Sequence, residues 1–237
     1  MSSTAIIARR EFRSYFDSPI AYVVICLSLP VIGALFFSNF WTINRASLGS
    51  LFNYLGWALV VLIVPALTMR LLAEEKRTGT IELLITMPVR DAEVVLGKFF
   101  ASLGLIFVLL LLTAIYPLMI GRLGDLDVGP MWVGYLGLLL LAAAGLAVGL
   151  FYSSITDNQI VAFMLTGVTL FVLWVLEYIG QAAGGLIGDI LNFVSFMRRI
   201  SPFTRGLLDI RNVVYFVSVA AFFLLLTIRS LESRKWK

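Results

Sequence analysis

The fold predicted by the sequence is an all-α integral membrane protein with six transmembrane helices, and three observations predict it. The 237 residues are 60% hydrophobic and only 14% charged, where an ordinary soluble domain carries roughly 25% charge. The mean hydropathy is +0.99. Six uncharged runs approach the about 20 residues that a helix needs to cross a hydrocarbon core. The runs are continuously apolar rather than alternating, which is the pattern of helices and not of barrel strands. With their connections they use most of the chain, so one transmembrane domain over 1–237 is expected, without internal repeats or linkers.

Taken in order, residues 1–18 read as an amphipathic interfacial helix. Ala5, Ala8, Phe12, Tyr15 and Phe16 recur at helical spacing, with Arg9, Arg10 and Arg13 on the other face. This segment is either a helix lying flat in the inner headgroup layer or a basic flank that sets topology. Pro19 ends it, because the residue before a proline resists the helical region, and opens the first span. The predicted transmembrane helices are 19–40, 51–72, 98–121, 130–152, 159–179 and 212–229. The first lacks a small-residue cleavage site and is read as a retained anchor. Between spans five and six, GGLIGDILNFVSFM is too short to cross and contains Asp189, which predicts a re-entrant or interfacial helical segment.

Charge orients the bundle. Twelve of the 18 basic residues fall in the N-terminal segment, the connection after span two and the C-terminal tail. By the positive-inside rule these are cytoplasmic, which places both termini inside and requires an even number of spans. The net charge of +4 clusters beside spans, so it reads as topology signal and contact with membrane lipids rather than as a nucleic-acid surface. Cys26 is the sole cysteine and lies within span one, so no internal disulfide or thiolate cluster forms; the absence of histidine removes His-based triads, bases and metal sites. An HExxH protease or a Ser-His hydrolase is thereby excluded, and no paired intramembrane aspartates suggest an aspartyl protease.

The most informative stretch is RLLAEEKRTGTIELLITMPVRDAEVVLGKF, from Arg70 to Phe99. Its roughly thirty residues far exceed the about 2–8 usual between bundle helices. Span two is expected to continue beyond the bilayer, with Glu74, Glu75, Lys76 and Arg77 in water and Gly79 as a left-handed stop. Thr80 then caps a short helix whose Ile81, Leu84 and Ile85 share one apolar face, with Glu82 elsewhere, and Pro88 closes it. Asp91 is the expected N-cap of the next helix, with Glu93 in its first turn. Two helical turns are unstable alone in water, so the apolar face rests either on this chain's own helix ends and the lipid surface or on a cytoplasmic partner.

The run EEKRTGTIELLITMPVRDAEVVLGKF resembles the corresponding loop of ABC-2 type transporter permeases: an acidic pair, a basic residue, Gly-Thr-Ile-Glu, two aliphatics, a Thr near a Pro, and a later Gly-Lys. GLFYSSITDNQIVAF and SPFTRGLLDIRNVVYFVSVAAFFLLLT agree with the branch similar to gliding-motility and copper-site maturation permeases, which often carry a histidine near Met197 or Arg198 that this chain lacks. The resemblance implies a permease subunit of an ATP-binding cassette transporter in the bacterial inner membrane. It would pair with a second permease copy, or a related membrane subunit with an external domain, and with two copies of a cytoplasmic ATPase that holds ATP and Mg. The chain has no GxxxxGK[ST] phosphate loop, so the nucleotide site is expected on that separate ATPase, and no cofactor in this chain. By position, residues 80–87 would be the coupling helix within a 78–90 loop, with Thr80, Ile81, Glu82, Leu84, Ile85 and Met87 facing the ATPase and Glu74, Glu75, Lys76 and Arg77 around them.

Spans two and five line the dimer axis in such permeases, which makes Asn53, Tyr54, Trp57, Thr166, Thr169, Trp174 and Glu177 candidate substrate-pathway residues. Other readings stand beside this one. Tyr54, Trp57, Trp174 and Tyr178 suit an aromatic belt, and Glu177 suits the outer headgroups or an arginine partner. The chain as a whole also fits a mechanical subunit that passes ATP-driven motion to a periplasmic or membrane partner.

Overall fold

The computed structural model describes residues 3–43, 48–79, 90–122 and 128–233. Among these residues the secondary structure is helical, and six helices are long and apolar enough to cross a membrane. In a bilayer every backbone N–H and C=O must be satisfied within the protein, and continuous helices do this locally.

The N-terminal helix, Ser3–Asp17, ends at Ser18, and span one, Pro19–Ile43, begins at the proline. Span two is not one continuous α-helix. It runs α-helical over Gly49–Ala58, widens into a π turn over Leu59–Ile63, returns to α over Val64–Thr68, unwinds, and resumes as the five-residue helix Ala73–Arg77. Pro65 supplies the local reason: it has no N–H for the turn behind it and its ring crowds the preceding carbonyls, a conflict that a wider turn relieves. The expected span over 51–72, with its continuation to Arg77, lies within the candidate span Gly49–Arg77, and what differs is the interruption of its helix at these points. Gly79, at φ 71, follows the last turn in the left-handed region.

Span three covers Asp91–Ile120, with Ala114 as a turn between Asp91–Thr113 and Ile115–Ile120. Its N-cap is Arg90 rather than the expected Asp91: the Arg90 N–H donates to Glu93 Oε2 at 3.1 Å, and Asp91 is the first helical residue, where its charge suits the helix dipole. Span four, Val128–Ile155, is the most buried of the six and forms the centre of the bundle. Gly134, Gly137, Ala142, Ala144, Gly145, Ala147 and Gly149 line its buried surface. Small residues let neighbouring backbones approach, which is how helices associate where lipid tails are as apolar as side chains. Span five, Gln159–Ala183, is capped by the Asn158 side chain, and span six, Ile210–Glu232, by Asp209.

Two short helices, Gly185–Val194 and Phe196–Thr204, join spans five and six at the end of the bundle away from the N-terminal helix. Leu186, Ile187, Ile190 and Phe193 of the first are exposed. Arg199 of the second is stitched in: its guanidinium lies 4.4 Å from the Phe193 ring and 4.9 Å from the Tyr215 ring, and it donates to Asn212 Oδ1 and to the Phe193 carbonyl, each at 3.1 Å. An arginine at this end is thereby held by ring faces and carbonyl dipoles rather than by a carboxylate.

Candidate functional site

Polar side chains converge where span two unwinds. At this point Leu72 and Ala73 must restart a helix with N–H groups that have no intrahelical acceptor. Ser153 of span four supplies one: its Oγ accepts from both N–H groups at 3.0 Å. This requires spans two and four to touch. Gly149, one turn before Ser153, allows it, because a Cβ there would overlap the Thr68 side chain. Lys76, one turn further along span two, reaches the same end of span four, donating to the Ser154 carbonyl and lying 3.7 Å from Asp157.

The opposite face of the same short helix meets span three. Glu75 accepts from Lys98 Nζ at 2.6 Å, and Glu11 of the N-terminal helix lies 3.3 Å from the same nitrogen. The Lys98 side chain is 3% exposed. A buried ammonium is costly unless charges and hydrogen bonds compensate it, and here two carboxylates do so from two different helices. One position earlier, Gly97 is in contact with the N-terminal helix, since a Cβ there would stand 2.6 Å from the Ile7 side chain. The adjacent Gly-Lys pair therefore has two separate uses: the glycine seats the N-terminal helix and the lysine locks it.

Four residues along, Tyr15 and Ser102 share a 2.8 Å hydroxyl hydrogen bond, and Ser102 also donates to the Lys98 carbonyl. Burial pushes the Tyr15 hydroxyl up to about 12; the nearby Glu11 charge adds to this and the Ser102 hydrogen bond opposes it. Between the N-terminal helix, span two and span three lies a cavity of ≈ 450 Å³. Glu11, Ser14, Tyr15 and Ser18 line one side, Ala66, Leu67, Arg70, Leu71, Glu74, Glu75 and Thr78 the other, and Lys98 is also in the lining.

Of the expected coupling residues, Thr80, Ile81, Glu82, Leu84, Ile85 and Met87 lie outside the described residues. Glu74 and Arg77 are exposed. Glu75 and Lys76 do not simply stand in water: the Lys76 side chain is 1% exposed, because the end of span four closes over it. The N-terminal helix also differs from expectation. It packs through Ile7, Ala8, Glu11, Phe12, Tyr15 and Phe16, whereas Ala5 is exposed. Periodicity finds most of this face and misses Glu11, a charge on a packed surface.

The expected pathway residues separate. Asn53 and Trp57 are exposed on one face of span two and Tyr54 is half-buried. Thr166 is buried and donates to the Ala162 carbonyl, and Thr169 bonds the Tyr152 hydroxyl at 2.9 Å. Trp174 is 5% exposed and packs over Gly56, so it belongs to the contact between spans two and five rather than to an aromatic belt. Glu177 accepts from Gln181 at 3.3 Å. Sequence reading missed Glu11, Lys98, Ser102, Ser153, Ser154 and Asp157 as site residues. The available signal was an ionisable Lys98 two turns inside a helix that is otherwise apolar onward.

Residues 43–231 match the family described as ABC-2 family transporter protein. No curated protein matches the chain.

Proposed function

Since the chain belongs to the ABC-2 family of transporter proteins, we propose that it is the permease subunit of an ATP-driven transporter in the bacterial inner membrane, with both termini cytoplasmic. Two copies of a cytoplasmic ATPase would bind ATP with Mg and hydrolyse it, and a second permease, identical or related, would complete the membrane part. Residues 80–87 would be the coupling helix that seats on the ATPase.

The observation that carries this reading is the anchorage of Ala73–Arg77, the segment leading into that loop. Ser153 holds its start and Lys76 holds Ser154 and Asp157, while Glu75 holds Lys98 and, through it, Glu11. A force applied to the loop thus enters spans three and four and the N-terminal helix together. The π turn and Pro65 interrupt span two between this anchorage and the remainder of the span. Regular backbone gives way there, so the anchored end can rotate relative to the distal half.

The test uses the permease co-expressed with its ATPase. Ile81→Asp or Leu84→Asp is expected to abolish co-purification of the ATPase and its stimulation by the permease, with membrane insertion unchanged. ATPase binding and stimulation at wild-type levels in both variants would overturn the assignment.

A second reading, the mechanical subunit, draws on the dispersal of the pathway residues. Asn53 and Trp57 are exposed in the single chain, while Thr166 and Trp174 are buried between helices. A pathway would need a second copy to close over Asn53 and Trp57. The mass of the purified complex discriminates: two identical permeases favour transport along the axis, and one permease with a different membrane subunit favours transmission of motion.

A further inference from the structure

The cavity at the charged end has an order of side chains that its role in anchorage does not explain. Ala66, Leu67, Arg70, Leu71, Glu74, Glu75 and Thr78 are spaced three and four apart, and all seven line it. Along this face the chemistry changes from apolar (Ala66, Leu67), to cation (Arg70), to anion (Glu74). Lys98 is committed to Glu75 and Glu11. Arg70, in the unwound stretch, and Glu74, in the helix that restarts after it, are exposed, four residues apart in sequence, and among the described residues their side chains form no hydrogen bond or ion pair, even with each other. Ser14 and Tyr15 face them from the N-terminal helix. The volume of ≈ 450 Å³ falls within the roughly 300–1,000 Å³ of small-molecule sites.

We propose that this cavity binds the headgroup of an inner-leaflet phospholipid that carries a primary ammonium group beyond its phosphate. Such a lipid presents acyl-glycerol, phosphate and ammonium in the same order in which the face presents Ala66 and Leu67, Arg70, and Glu74. Guanidinium pairs with phosphate through parallel N–H donors, and a carboxylate accepts from an ammonium. The lining carries Glu11, Glu74 and Glu75 against Arg70 and Lys98, a formal charge of −1. That balance disfavours a headgroup with net negative charge. A choline headgroup has no N–H to give Glu74. The proposal takes its inner-leaflet assignment from the cytoplasmic placement of this end, and it is independent of the coupling helix.

The experiment is native mass spectrometry of the delipidated permease without its ATPase, so its outcome is separate from the Ile81 and Leu84 test. Dioleoyl phosphatidylethanolamine, phosphatidylglycerol and phosphatidylcholine are titrated in parallel. Retention of the ethanolamine lipid is expected to exceed the other two by about tenfold, the scale of one charge-assisted hydrogen bond. Glu74→Gln should remove that preference and Arg70→Gln should weaken the ethanolamine lipid. The double variant Arg70→Glu/Glu74→Arg keeps net charge but reverses the order, and should also lose the preference. Equal retention of the three lipids, preference for the glycerol lipid, or an unchanged preference in the double variant would overturn the proposal. Competition by free phosphoethanolamine at the lipid's own concentration would assign the cavity to a soluble headgroup instead, and so overturn the lipid assignment.

Discussion

At the scale of single residues, Lys98 holds the greatest leverage. Its ammonium is almost fully enclosed and faces Glu11 and Glu75, whose side chains are 19% and 20% exposed. Removing one partner of a buried pair leaves charge uncompensated, at a cost of about 3–5 kcal/mol. Partial exposure of the two carboxylates places Lys98→Met near the lower end, about 3 kcal/mol. Adding Glu11→Gln and Glu75→Gln should restore most of that loss, and thermal unfolding in detergent measures both. A Lys98→Met protein with an unchanged transition would show that the cluster contributes nothing. Tyr15 gives a second handle, through pH. Its hydroxyl is raised from the ordinary 10.0 to about 12, so the fold favours the neutral form. The stability this contributes is complete below pH 10 and is lost as pH rises through about 12. The tyrosinate difference spectrum between wild type and Tyr15→Phe should therefore show a midpoint near 12 rather than near 10.

At the scale of elements, span two shows what one sequence conveys and what it leaves out. Its apolar run and its exit into a charged loop are visible as composition, whereas the expected helix over 51–72 passes over Pro65, beside which the π turn forms. The place where the helix restarts is not visible locally, because it is fixed by Ser153, 81 residues from Leu72. Hydrophobic periodicity reports which face is apolar and says nothing of which distant hydroxyl accepts a hydrogen bond. The N-terminal helix repeats the lesson. Aromatic spacing indicates its packed face, yet Glu11 sits on that face because Lys98 is opposite, and only the fold pairs them. Ser153→Ala would leave two buried N–H groups without their acceptor, each worth about 1–3 kcal/mol. Hydrogen exchange at Leu72 and Ala73 should accelerate markedly, while Ser153→Thr, which keeps the hydroxyl, should retain protection. Equal protection in the alanine variant would mean that the restart is held by span two alone.

At the scale of the whole molecule, the arrangement divides into two unlike ends. One gathers the N-terminal helix, the Lys98 cluster, the anchored Ala73–Arg77 segment and the end of span four. The other carries the two short helices with their exposed apolar side chains and Arg199 held between aromatic rings. An ATPase partner can act only from the cytoplasm, so the reading of the first end as the site of force entry demands one orientation of the bundle. The distribution of basic residues predicts the same orientation for a separate reason, the retention of Lys and Arg on the inner side during insertion. Cys26 is the sole cysteine, which makes a direct test practical. On a Cys26→Ser background, Arg10→Cys and Ser233→Cys should react with a membrane-impermeant maleimide only after cells are permeabilised, and Arg205→Cys should react in intact cells. All three positions are exposed, so protection reports sidedness rather than burial. The reverse pattern would place the Lys98 cluster outside, beyond the reach of any nucleotide-driven partner, and would remove the coupling mechanism and the inner-leaflet headgroup site together.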